Sequence, residues 1–170
     1  MPDTYQLPIG INEASVIKLL LRFSLYKTKQ LSYKIFGTYN QEKWFHYVAI
    51  ASIIQKESAN SAEMPIISSV IYNRLKRGMR LQMDGTLNYG KYSHSKVTPK
   101  RIREDVSIYN TYRHKGVPKI PVCNVGFDAI KAAIFPAKTE YLYFVKSKSG
   151  RHKFACNYST HLRNIRRATK

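Results

Sequence analysis

Acidic residues are scarce in this 170-residue chain: 10 Asp plus Glu stand against 29 Lys plus Arg, a formal net charge of +19. A chain so short of carboxylates does not seek cationic partners. Its charge suits nucleic acid, or an envelope polyanion such as teichoic acid, anionic phospholipid or the carboxylates of murein stem peptides. Cysteine is rarer still. Cys123 and Cys156 form no CxxC pair and are too few for a disulfide-built scaffold. Long apolar runs are also missing: stretches such as Tyr47 to Ile54 fall far below membrane-spanning length, and Met1 to Tyr5 lacks the basic-then-apolar pattern of a signal peptide. There is no GxSxG, no HExxH, no zinc-finger spacing among Cys123, Cys156, His152 and His161, and no internal repeat or linker-like tract. One domain spanning residues 1–170 is expected, long enough to bury one core but not two.

Hydrophobic periodicity then lays out the elements. Asn12 caps a helix whose Val16, Ile17, Leu19, Leu20 and Phe23 form an apolar face, predicting a packed amphipathic helix. From Gln41 to about Glu57, Trp44, Phe45, Tyr47, Val48, Ile50, Ala51, Ile53 and Ile54 cover nearly the whole circumference, which predicts a buried helix. A third helix runs from Pro65 to a stop at Gly78. Arg80 to Asp84 alternates and reads as a strand, followed by polar loops. Thr98-Pro99 opens a short helix, Asn124 to Ile134 is another, and Tyr141–Val145 with Lys153–Cys156 around Lys148-Ser149-Gly150 predicts a β-hairpin before a final basic helix after Ser159. The fold class expected is α+β, helices around a small antiparallel sheet.

Glu57 is the residue with the sharpest chemistry. It sits at the C-terminal end of the most apolar helix, where the helix dipole and an apolar neighbourhood both disfavour ionisation and raise a carboxyl toward a proton donor at neutral pH. On pattern alone, a carboxylate emerging into solvent beside Lys56 is the commoner outcome. Asp84 is the one plausible second carboxylate for an ordinary two-acid glycosidase, with a simple turn-capping role equally open to it. Gly85 to Lys91 approximates a phosphate loop, but Tyr92 stands where Ser or Thr belongs and no βαβ pattern surrounds it. Tyr89, Tyr92, Tyr109 and Tyr112, with Asn88 and Asn110, suit stacking on sugar rings or bases; covering a small core explains them as well.

An ordered series of segments carries a resemblance over nearly the whole chain. Pro2-Asp3-Thr4-Tyr5, Ala51-Ser52-Ile53-Ile54-Gln55-Lys56-Glu57-Ser58, Val70-Ile71-Tyr72-Asn73-Arg74-Leu75, Leu81-Gln82-Met83-Asp84-Gly85-Thr86, Tyr109-Asn110-Thr111-Tyr112, Gly116-Val117-Pro118, Asn124-Val125-Gly126, Pro136-Ala137-Lys138-Thr139, Tyr141 to Val145 and His161 resemble the catalytic domain of the YceG-like (MltG) endolytic murein transglycosylases. The resemblance implies that Glu57 is the catalytic acid/base and reverses the odds set by pattern alone. It implies that Asn73, Gln82, Asp84, Thr86, Tyr109, Asn110 and Tyr112 line the cleft. Ile108 and Val125 stand where prolines are common, and Met83-Asp84-Gly85 replaces a more usual Ser-Asp-Pro, changes expected to alter loop shape rather than chemistry.

The implied reaction is cleavage of the bond from N-acetylmuramic acid to N-acetylglucosamine without water, leaving 1,6-anhydro ends, with no cofactor and no metal. The implied partners are peptidoglycan glycan strands and peptidoglycan synthases. The implied location is the outer, periplasmic face of the inner membrane, reached through an anchor and a LysM-like part outside this chain. Two rivals stand beside this reading: a basic nucleic-acid-binding module, motivated by the charge and by the run Arg163 to Lys170, and a murein-binding domain without catalysis.

Overall fold

A computed structural model describes residues 2–93 and 95–169. By its internal contacts the chain divides into two compact units, residues 1–46 and residues 47–170. In the first unit, α1 (Glu13–Phe36) is closed at both ends as its sequence predicts. Asn12 accepts the Ser15 N–H at 2.9 Å, and Gly37, at φ 68°, takes the left-handed position that ends the helix. Its expected apolar packing face is only partly covered: Val16 and Leu19 are half-buried, Ile17, Leu20 and Phe23 are exposed, and Ser32 is the buried residue of the helix. The 3.6-residue period marks which face could pack, but a 24-residue helix with good caps needs no cover along its whole length.

Helix α2 (Gln41–Glu57) begins in the first unit and ends in the second. The expected all-round burial holds for Ala49 to Ile54, whereas Phe45 in the second turn is exposed. Within the second unit this buried stretch is the core's axis. Ser52 donates to its own turn at Ala49 O and accepts the Val122 N–H at 3.0 Å, and Gln55 Oε1 accepts the Gly126 N–H at 3.1 Å. These bonds hold residues 122–126 outside any helix, with Gly126 extended as the N-cap, so the helix expected from Asn124 begins only at α6, Phe127–Ile134, which packs on α3 (Met64–Lys76). Ile67, Val70 and Ile71 of α3 are fully buried.

No strand forms over Arg80 to Asp84. Arg74 donates to the carbonyls of Arg80 and Leu81, and the Gln82 N–H goes to Thr111 O, so side chain and loop consume the groups a ladder would need. The segment instead enters the one-turn helix α4 (Asp84–Leu87). Beyond it come the short α5 (Pro99–Glu104), capped by Thr98, and the expected hairpin of β1 (Tyr143–Lys146) and β2 (His152–Ala155). The strands run antiparallel, with Tyr143 opposite Ala155 and Lys146 opposite His152. The final helix α7 (Tyr158–Thr169) packs across both strands. The architecture is α+β, and among the described residues no helix is long and apolar enough to cross a membrane.

A buried ionic tie fixes the hairpin to the start of α3. Glu63 accepts the His152 backbone N–H at 3.0 Å and pairs with its ring Nδ1 at 2.7 Å. Burial pushes the Glu63 carboxyl up, but the hydrogen bonds and charge of His152 outweigh it and hold the group below its ordinary 4.5. A carboxylate held low contributes stability above the unfolded value and loses it as pH falls through the folded one. Replacing Glu63 with Gln is expected to cost about 1–3 kcal/mol at pH 7. Thermal melts of the two proteins should converge as the pH drops below 4.5.

Candidate active site

Helix α2 delivers Glu57 to the end of the apolar run, where the chain leaves the core. Its Oε1 accepts the Gly85 N–H at 2.7 Å, a donor supplied by the first turn of α4. Burial raises the Glu57 carboxyl most; the Gly85 bond lowers it and neighbouring Asp84 raises it, and the result is a pKa of about 7. A helix end in the core thus holds a proton at neutral pH, poised to give it up or take it back.

Gly85 packs tightly against the end of α2. A Cβ on it would lie 2.7 Å from both Glu57 Oε1 and Lys56 Cβ, closer than real Cβ contacts come. The residue does more than shape a loop. A proline here would have no N–H to give, so the carboxylate bond depends on a residue that keeps its backbone donor. The near-match to a phosphate loop is explained as well: the Gly85 N–H faces a carboxylate.

Glu57 opens into a cleft of about 470 Å³ that also takes in Gln82, Asp84 and Tyr112. Asp84 Oδ1 accepts the Tyr112 hydroxyl at 2.6 Å, which, after burial, helps raise the phenol. Three other residues expected to line the cleft serve as framework. Asn73 Nδ2 donates to the carbonyls of Thr139 and Tyr141, fixing the approach to β1. Asn110 is fully buried; its amide donates to Ile102 O and Asp105 O and accepts the Tyr112 N–H. Thr86, also fully buried, bonds Met83 O and Thr111. Together these brace the segment carrying Gln82 and Asp84 against the one carrying Tyr112. Tyr109 packs at a tilt on Tyr89, ring centroids 4.7 Å apart, and Tyr92 lies under Arg101; of the four tyrosines Tyr112 lines this cleft.

The cleft also contains residues that reading the sequence did not assign to the site. Arg74 forms part of it, and Tyr143, Phe144 and Val145 of β1 with Tyr158, His161 and Ile165 of α7 supply another wall. His161 stacks on Tyr143 with centroids 5.1 Å apart, its Nδ1 buried without a hydrogen bond. Burial, then the charge of Arg74, lowers its pKa below the ordinary histidine value. One signal for Arg74 was available: at i+7, i+4 and i+3 from Ile67, Val70 and Ile71 it is the cation on an otherwise apolar helix face.

Comparison with known proteins gives consistent results. A model of the YceG-like family matches residues 1–167. An endolytic murein transglycosylase of Bacillus subtilis (strain 168) is 37% identical over 114 residues, covering 67% of this chain and 32% of that protein. One from Streptococcus pneumoniae (strain R6) is 33% identical over 153 residues, covering 86% of this chain and 26% of that protein. The crystal structure of a yceG-like protein from Listeria monocytogenes superposes with a TM-score of 0.78 at 32% identity, over 96% of this chain and 53% of that one. The chain therefore spans about a third or less of the curated relatives it matches.

Proposed function

The chain belongs to the YceG-like family, and from that premise we propose that it is the catalytic portion of an endolytic murein transglycosylase with Glu57 as its single general acid/base. The observation that carries the reading is a carboxyl near pKa 7, held in place by a backbone N–H and opening into a cleft. The names of the relatives supply the substrate, a murein glycan strand.

Protonated Glu57 gives its proton to the oxygen joining N-acetylmuramic acid C1 to the next N-acetylglucosamine, and that bond breaks. The muramyl N-acetyl group eases the positive charge growing at C1. Glu57, now a carboxylate, takes the proton of the muramyl C6 hydroxyl as its oxygen closes on C1. The products are a free 4-hydroxyl and a 1,6-anhydro ring; no water is consumed, and the acid returns to its starting state without a cofactor. Glycan strands are the substrate, synthases that polymerise them the fitting protein partners, and the outer face of the inner membrane the fitting place, through an anchor outside this chain. The net charge suits such an anionic envelope.

A second reading, hydrolysis, is favoured by one observation: Asp84 lies in the same cleft and raises the Glu57 pKa. Two carboxylates flanking a bond can activate water. Digestion of purified murein followed by mass analysis separates the two, because an anhydro end is lighter than a reducing end by one water. We expect anhydro ends; reducing ends alone would replace the transglycosylase reading with hydrolysis, and intact strands would leave a binding domain. Steeply salt-dependent binding to DNA or RNA with no murein cleavage would instead support a nucleic-acid module.

A further inference from the structure

Among the described residues, no carboxylate pairs with the buried cation Arg74. It is 7% exposed, its Nε donates to Leu142 O at 2.6 Å, and its Nη1 reaches Arg80 O, Leu81 O and Gln82 Oε1 at 3.1, 2.8 and 3.2 Å. All these acceptors are neutral. They satisfy hydrogens but bring no negative charge; the Tyr143 ring, with its centroid 5.1 Å from the guanidinium carbon, offers its π face alone, and a buried cation lacking a formal counter-charge costs stability unless something else completes it. The cleft's own carboxylates are engaged elsewhere, Glu57 with Gly85 and Asp84 with Tyr112. Among the described residues, no group bonds Nη2.

Gln82 completes the picture. A guanidinium can only donate, so the Gln82 atom facing Nη1 is the amide oxygen, and the Nε2 donors are turned away from it with no protein partner among the described residues. Gln82 also holds a φ of +52°, the one left-handed non-glycine residue among those described. Such a conformation in a side chain with a β-carbon persists only when its surroundings hold it, and it gathers at ligand sites. Here it is held by the Arg74 bonds to Leu81 O and to its own amide oxygen, and by its own N–H to Thr111 O at 3.1 Å.

We propose that Arg74 Nη2 and Gln82 Nε2 form a paired-donor subsite in the cleft that binds a carboxylate carried on the lactyl side of a muramyl residue. Arg74 thereby does two jobs: Nη1 staples the turn that aims Gln82 while Nε ties the guanidinium to Leu142 O, and Nη2 presents the charge. This rests on the murein reading of the same cleft. In peptide-free strands the carboxylate is that of the lactyl group itself; in peptide-bearing strands it belongs to the stem peptide.

Two substrate pairs distinguish these sources: peptide-free strands with free or amidated lactyl carboxyls, and peptide-bearing strands with free or amidated stem carboxyls. In one pair, amidation should raise the KM of the wild-type protein about ten- to hundredfold with a smaller change in kcat, as expected for a charged hydrogen bond. Arg74→Lys should shrink that difference and Arg74→Gln should erase it. Equal KM within both pairs overturns the proposal, as does a difference that survives unchanged in a folded Arg74→Gln protein. The wild-type comparison decides the matter even if the Arg74 variants do not fold. Absence of cleavage in all four substrates speaks against the activity instead, and calorimetric binding of the same strands to Glu57→Gln protein then tests the subsite by itself.

Discussion

Glu57→Gln protein is expected to lose murein cleavage by about 10²- to 10⁴-fold in kcat, the usual worth of a positioned acid/base. The amide oxygen can still accept the Gly85 N–H, so the fold is kept and the loss falls on chemistry. The same substitution carries a stability signature that a bystander carboxylate would not give. The Glu57 pKa stands near 7 in the folded chain against 4.5 for an ordinary carboxyl. As pH rises through that window the unfolded chain sheds its proton first, so wild-type stability falls; the full difference amounts to about 3 kcal/mol. Gln has no proton to lose, so chemical denaturation should show the variant gaining on wild type between those two pH values. Wild-type kcat/KM should in turn fall as pH rises above about 7, since the first step needs the protonated acid. Unchanged turnover in the variant would remove Glu57 from the mechanism.

The second large effect is expected from the smallest possible substitution. Gly85→Ala puts a methyl group 2.7 Å from Glu57 Oε1 and 2.7 Å from Lys56 Cβ. The carboxylate can swing aside, but Lys56 Cβ is rooted in α2, so the start of α4 must move away from the end of α2. Overpacking of this kind costs about 1–3 kcal/mol. Displacement of a reacting group by about 1 Å can cost on the order of 10²-fold in rate. Circular-dichroism melts and turnover measured on one preparation should both fall; wild-type values in both would show that the two helix ends are not locked as described.

Much of this was legible in the sequence. The apolar run to Ile54 dictates a buried helix, whereas the carboxyl at its end could on pattern alone have emerged into solvent, and the family resemblance was needed to favour Glu57. The hairpin and its closing helix are equally local, written in Tyr141 to Val145, Gly150 and the basic stretch after Ser159. The strand expected at Arg80 was lost for a distant reason: a guanidinium from the preceding helix captures the carbonyls. Asn110 and Thr86 show another limit. A polar residue in a specific motif can touch substrate or can staple the loops behind it, and composition does not distinguish outside from inside; both are fully buried. Arg74, Tyr143 and His161 meet only because α3, β1 and α7 converge, a fact of tertiary structure.

The order in which the cleft's parts occur along the chain has one more consequence. The proton-bearing residue is made early, at position 57, whereas Tyr158, His161 and Ile165 come from the last helix. During synthesis the acid therefore exists for some hundred residues with one flank of its trough missing. Any grip on a polymer that depends on that flank arrives only as the ribosome nears the end of α7, a built-in delay between making the reactive group and arming it.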